Sequence, residues 1–300
     1  MLTSDDLYLV TAATGNTGAP TVRLLREAGH RVRAFVHTAD RRADALADLG
    51  AEIVEGDLSD FTTVSPAMAG VTAAYFCYPI APGGLLQATA IFAQAASEAG
   101  VRAIVNMSQI SARREAKSHA AQHHWLAERL LDRTALITTH LRPTFFMEWI
   151  AWHWRRTGDG GAELRLPFAD GRHAPIAAAD QARVIAAILT NPAPHDRQIY
   201  PLYGAEEVNH HDIAAKLAAA LGIPVYYEPI DIATFAKHLS AKGASDFLIQ
   251  HLSEVARDYR NGIFAGTNNL VDVITGAPPT TVDAFVNAHR TWFDGSGRRA

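Results

Sequence analysis

Residues 10–18, Val-Thr-Ala-Ala-Thr-Gly-Asn-Thr-Gly, have the makings of a phosphate-holding turn. An apolar run (residues 7–11) precedes them and helical spacing over residues 17–28 follows. Such a strand-to-helix turn aims backbone N–H groups and the positive helix end at an anion. Gly15 and Gly18 fill two of the three positions where a Cβ obstructs a dinucleotide pyrophosphate or the helix–strand packing. Ala12 stands at the first, where positive φ is costly for any residue but glycine. Thr11, Ala12, Thr14, Gly15, Asn16, Thr17 and Gly18 are therefore candidate cofactor contacts. The next apolar run ends Phe35-Val36-His37-Thr38, without the carboxylate that binds a free ribose 2′-hydroxyl. His37, Arg41 and Arg42 form a basic cluster suited to a 2′-phosphate, so NADP(H) is expected over NAD(H), which stays as the alternative. A solvated helix start is the plainer reading of the two arginines. Asp57 ends a third run; it can reach an adenine amino group or cap a helix, a role open equally to Asp60.

These residues need a rigid frame. Short apolar runs at 7–11, 31–36, 52–55, 71–77, 101–107 and 135–141 alternate with helical spacing at 17–28, 39–49, 61–69, 85–99 and 119–133. That rhythm predicts right-handed βαβ crossovers, hence an α/β fold with a Rossmann-type, doubly wound parallel sheet. After Arg142-Pro143 the rhythm breaks into an aromatic-rich stretch and a Gly-rich turn at 158–161. Helical spacing returns at 179–189, 212–221, 233–239, 246–260 and 281–293, with strands at 198–202 and 225–228. The expected organisation is a nucleotide-binding domain over 1–150, completed by 175–205. A smaller, mostly helical substrate lobe takes 151–174 and 206–294, and 295–300 is a disordered tail.

Net charge is −4 over 300 residues, with acids and bases intermixed, so nothing calls for nucleic acid. Cys77 is the single cysteine, which excludes an internal disulfide and fits a reducing compartment. No apolar run reaches the roughly 20 residues of a membrane span, and the first residues carry acids rather than a basic leader. A cytoplasmic protein is expected, and its exposed helices allow a homodimer. Among 14 histidines, His119, His123 and His124 cluster, as do His210 and His211. Neither cluster has the His-Glu-x-x-His pattern or a cysteine, so no metal is expected.

The chain resembles the NmrA-like family, an atypical branch of the short-chain dehydrogenase/reductases. The resemblance rests on residues 10–18, 31–37, 50–58, 99–108, His124-Trp125 with Glu128, 141–148, 171–180 and 276–279. It implies a Rossmann domain and a small C-terminal lobe with a ligand cleft. Some members reduce quinones, azo compounds or carbonyls with NAD(P)H; others bind the cofactor and report redox state through a protein partner.

By that resemblance Ser108 takes the position of the serine that orients a substrate carbonyl. The helix that should carry Tyr and Lys four residues apart carries His124 and Glu128 instead. Imidazole titrates near neutral pH, so His124 can replace the acid and Glu128 can orient it. Their plainer reading is a helix-surface pair, or residues that line the cofactor site structurally. Family position puts Phe145, Phe146 and Trp149 beside the nicotinamide, where they would wall a substrate pocket, although packing between lobes explains them equally. Tyr78 follows the fourth strand at the carboxyl edge of the sheet, in reach of the cofactor, and Pro79 next to it would join the pocket wall. The reading is an NAD(P)H-dependent reductase of a small, aromatic or quinone-like electrophile, acting by direct hydride transfer. The alternative is a redox sensor without turnover that acts on a protein partner; a lyase or isomerase that recycles the cofactor stays open.

Overall fold

The computed structural model describes residues 6–294. The expected tail 295–300 lies outside them. In chain order the elements are β1 (Leu7–Val10), α1 (Gly18–Glu27), β2 (Arg31–Val36), α2 (Arg41–Ala47), β3 (Glu52–Glu55), α3 (Phe61–Ala67), β4 (Ala73–Phe76), α4 (Leu85–Glu98), β5 (Ala103–Met107), α5 (His119–Leu131) and β6 (Ile137–Pro143). There follow α6 (Glu148–Trp152), β7 (Trp154–Arg156), β8 (Ala162–Leu166), α7 (Ala178–Thr190), β9 (Gln198–Leu202), α8 (His210–Leu221), β10 (Val225–Pro229), α9 (Ile232–Ala241), α10 (Asp246–Arg260), α11 (Leu270–Thr275) and α12 (Val282–Ala288).

Two units emerge. The first gathers the residues up to Ala116 with Ala120–Arg142 and Gln181–Pro201. Its sheet has the order β3-β2-β1-β4-β5-β6-β9. The pairs from β3 through β6 are parallel, in registers such as Leu9 with Arg33 and Ala74 with Ile104. β1, β4 and β5 are buried at every position, as expected of parallel strands covered on both faces. Phe76 and Phe92 meet at 4.7 Å in the core under α3 and α4. Each fully buried ring stabilises the fold by about 2–3 kcal/mol. The strand order reverses between β1 and β4, the topological switch point where α/β sheets bind ligands.

The second unit holds Lys117–His119, Pro143–Asp180 and the residues from Leu202 onward. Helices are its main regular elements, and it also contains a three-stranded sheet, β10-β8-β7. β8 pairs parallel with β10 and antiparallel with β7. Side-chain caps set its helix starts: Asn209 and Asp212 form a capping box on α8, and Asp231, Ser245 and Thr281 cap α9, α10 and α12. Among the described residues, no helix is long and apolar enough to cross a membrane.

Candidate cofactor and substrate sites

The turn after β1 is closed by the Gly15 N–H donating to the Ala12 carbonyl at 2.8 Å. Ala12 sits at φ +47°, so the first glycine position is held by an alanine in a glycine-like conformation. That left-handed backbone costs alanine about 1 kcal/mol. Gly18 is required by space: a Cβ there would lie 2.2 Å from the Ala12 carbonyl oxygen and 2.9 Å from the Ala13 Cα. Two threonine hydroxyls tie the turn to β4. Thr11 Oγ1 accepts from the Cys77 N–H at 2.8 Å, and Thr17 Oγ1 bonds Tyr75 Oη at 2.8 Å. Both threonines are buried, so their side chains hold the turn rather than face solvent. Gly15 and Asn16 are exposed at the tip, Thr14 is half-buried beside them, and α1 begins at Gly18. A bare backbone tip at a helix N-terminus fits a dinucleotide pyrophosphate.

At the end of β2, His37, Arg41 and Arg42 are all exposed. Arg42 forks onto Asp40, with Nε at 3.0 Å and Nη2 at 2.7 Å from Oδ2. Asp40 also caps α2 by accepting the Arg42 N–H. These bonds hold the Asp40 carboxyl down at about 2. Asp40 therefore offsets part of the Arg42 charge, while Arg41 stands exposed beside it. Glu55, which sequence reasoning passed over, accepts the Ala39 N–H at 2.8 Å and fixes this loop from the end of β3. Asp60, not Asp57, caps α3. The exposed Asp57 accepts the Ser59 N–H at 2.7 Å. Tyr78 packs its hydroxyl against Gly84, where a Cβ would lie 2.1 Å away, and Pro79 is exposed.

Ser108 follows β5. Its Oγ donates to Glu128 Oε1 at 2.6 Å. Arg142, at the end of β6, forks onto the same carboxylate: Nε to Oε1 at 2.8 Å and Nη2 to Oε2 at 2.5 Å. Glu128 is fully buried and His124 nearly so, which removes the helix-surface reading of that pair. The Glu128 carboxylate engages Ser108 and Arg142. Arg142 was legible only as part of a family segment, because its partner lies fourteen residues away. A serine hydroxyl has one hydrogen, and here Glu128 takes it. Toward a ligand Ser108 thus presents lone pairs, not the donor that a carbonyl-orienting serine needs. Removing one partner of a buried ion pair leaves a buried charge. Arg142→Met is expected to cost about 3–5 kcal/mol, and Glu128→Leu/Arg142→Met to recover most of it. Urea unfolding of both variants checks this; equal loss in the two would contradict it.

In the second unit Phe145 is the hub of an aromatic cluster. Its ring lies 5.1 Å from Trp149, 5.0 Å from Phe168 and 4.9 Å from Phe264. Trp149 stacks on His153 at 4.8 Å. Buried Glu148 accepts the Ala178 N–H at 3.1 Å, which pins α6 to the start of α7. Phe145, Phe146 and Trp149 line a pocket here, together with His173 and His210. Of these two histidines the sequence reading weighed only His210, in a pair with His211 that is not expected to hold a metal, and nothing in the local spacing of His173 and His210 signals this wall.

A family described as NAD(P)H-binding matches residues 12–192. The chain belongs to this family. The NAD(P)H-binding chain is 29% identical to the NAD(P)H azoreductase of Xenophilus azovorans, over 96% of its own length and 99% of the relative's. The crystal structure of an NADPH-dependent quinone oxidoreductase of Escherichia coli, complexed with NADPH, is similar with a TM-score of 0.82. That pair shares 24% identity and covers 95% of this chain and 99% of the other. NmrA, a negative transcriptional regulator solved in complex with NADP, follows with a TM-score of 0.74 at 16% identity, covering 99% and 93%. The NmrA-like resemblance of the sequence agrees with family and fold.

Proposed function

We propose that this NAD(P)H-binding protein is an NADPH-dependent reductase of flat aromatic electrophiles, quinones or azo compounds, acting by direct hydride transfer. The observation that carries the proposal is the end-to-end similarity to an NAD(P)H azoreductase, joined to a turn after β1 built for a dinucleotide. The backbone of residues 14–18 would hold the pyrophosphate, with Gly15 and Asn16 nearest the anion. His37, Arg41 and the remaining charge of Arg42 would hold a 2′-phosphate, which favours NADPH over NADH. Asp57 would accept from the adenine amino group. When bound, the reduced nicotinamide supplies the hydride.

Ser108 and His124 would border the reacting centre. Ser108 accepts there rather than donates, because Glu128 holds its hydrogen. The lack of a Tyr-Lys pair suits acceptors whose reduced anion is stabilised, as a quinone's is. Phe145, Phe146 and Trp149 would wall the flat acceptor.

The test is anaerobic consumption of NADPH against a panel of quinones and azo dyes. Turnover with at least one class is expected, with NADH slower. Arg41→Ala should weaken NADPH binding about tenfold, the loss of one charge-assisted contact, and leave NADH unchanged. Tight NADPH binding without turnover on any acceptor would overturn the reductase and leave a cofactor-reading sensor.

A further inference from the structure

Thr17 is the last residue before α1, where a threonine hydroxyl ordinarily accepts an N–H from the first turn of its own helix. Here it makes no such bond. Its Oγ1 is bonded instead to Tyr75 Oη on β4, at 2.8 Å. The Thr17 backbone is already helical, with φ −96° and ψ −34°, and the Ala19 N–H donates to the Gly15 carbonyl at 3.0 Å. The helical path therefore starts early, at the exposed tip of the turn. The N–H groups of Asn16, Thr17 and Gly18 belong to that first turn, which has no intrahelical partner for them. Among the described residues, none of the three donates to a protein acceptor. Gly15, just before them, has no side chain with which to take one.

Thr17 is the middle residue of the three, and it is held on two sides. Tyr75 holds its hydroxyl. Fully buried Thr21 holds its carbonyl, to which the Thr21 N–H donates at 3.2 Å and Thr21 Oγ1 at 2.7 Å. Tyr75 is itself fixed: it lies mid-sheet, paired with Val10 on β1 and Val105 on β5, and it is fully buried. The two hydroxyls satisfy one another whichever gives the hydrogen. Burial lifts the Tyr75 phenol well above its ordinary value, so the group behind the turn is uncharged and does not repel an anion in front of it. The clamp of Thr11 onto the Cys77 N–H fixes the start of the turn but not its helical half.

We propose that Tyr75 is a positioning residue for the cofactor pyrophosphate: from β4 it draws the Thr17 hydroxyl away from α1 and fixes three uncapped N–H groups in one direction. The proposal rests on dinucleotide binding by the turn after β1. Tyr75 does not touch the ligand. Helix ends whose N–H groups lack partners fray, and a first turn left open for an anion needs an anchor from outside its own helix. The buried β4 hydroxyl supplies that anchor. The free turn then already has the geometry that two phosphates require, and little ordering is left to the binding step.

Tyr75→Phe keeps the ring and removes the hydroxyl. Calorimetric titration of this variant should show NADPH, NADP⁺, NADH and NAD⁺ weakened by one common factor of about ten, the scale of a single hydrogen bond. The preference between phosphorylated and unphosphorylated cofactors should stay at its wild-type value, because the 2′-phosphate is not held here. Adenosine 2′-monophosphate, which has no pyrophosphate, should bind the variant as it binds the wild type. Thr17→Val attacks the same bond from its other end and should give the same pattern. The double variant Tyr75→Phe/Thr17→Val should lose about tenfold rather than about a hundredfold, since both changes remove one interaction. Wild-type dinucleotide affinity in Tyr75→Phe, an equal loss for adenosine 2′-monophosphate, or additive losses in the double variant would overturn the proposal and leave the cofactor site standing. Failure of the wild type to bind any of the four dinucleotides would overturn the reading of the turn, and the proposal with it.

Discussion

Gly18→Ala is expected to weaken NADPH binding at least 100-fold, about 2.7 kcal/mol, and to lower the unfolding midpoint. The added Cβ would meet the Ala12 carbonyl oxygen at 2.2 Å, the Ala12 carbonyl carbon at 2.8 Å and the Ala13 Cα at 2.9 Å. All three are backbone atoms, so no rotamer change relieves the clash. The turn must shift, and with it the start of α1 and the N–H groups that face the anion. Overpacking of this kind costs about 1–3 kcal/mol of stability. Gly15→Ala makes a useful contrast: its Cβ would stand 3.1 Å from the same oxygen, a contact that a few tenths of an ångström relieve. Calorimetric titration and thermal unfolding of both variants check the ordering. Wild-type affinity in Gly18→Ala would mean that the dinucleotide does not use this turn.

Acid should destabilise the protein well before its carboxylates protonate. Burial holds the imidazoles of His173 at about 3 and of His153 and His251 at about 4, all in the second unit. An unfolded chain protonates these rings near 6.5. Below that pH the unfolded state binds more protons than the folded state, so stability falls as pH falls. The loss is absent above about pH 7, opens through 6.5, and levels off near pH 4 for His153 and His251 and near 3 for His173. Each ring contributes a slope of roughly 1.4 kcal/mol per pH unit within its window, about 2 kcal/mol apiece by pH 5. Asp132, held at about 2 largely by His140, acts in the same sense but at lower pH. Its stabilisation is present above about 4 and is lost only as pH falls through 2. Urea midpoints from pH 7.5 to 5.0 should drop steeply, and His251→Gln should flatten the slope by about one ring's share. A flat profile would contradict the burial of these rings as neutral species.

The first unit was legible because its signals are local. An apolar strand, a turn with two glycines and a helix follow one another within about thirty residues, and β1–α1–β2 lies where that spacing predicts. The second unit was less so. Residues 154–156 read as the end of an aromatic stretch, but they form β7, because β8 offers a partner across the Gly-rich turn. Helix α11 spans six residues, too few for periodicity to register. At the site the same rule holds. Gly15, Gly18 and Asp40 act on near neighbours. Arg142 meets Glu128, and Tyr259 meets His173 and His210, across separations of 14, 86 and 49 residues. Residue type alone cannot reveal such pairs; only the packed chain brings them together.

Direct hydride transfer from NADPH to a flat acceptor has its own kinetic signature. Single-turnover mixing of the protein with NADPH deuterated at the transferring carbon, followed through loss of reduced-nicotinamide absorbance on addition of a quinone or azo dye, tests it most directly. Oxidation of the bound cofactor is expected, slowed severalfold by deuterium at one face of the ring only. Bound NADPH that keeps its absorbance with every acceptor would contradict it.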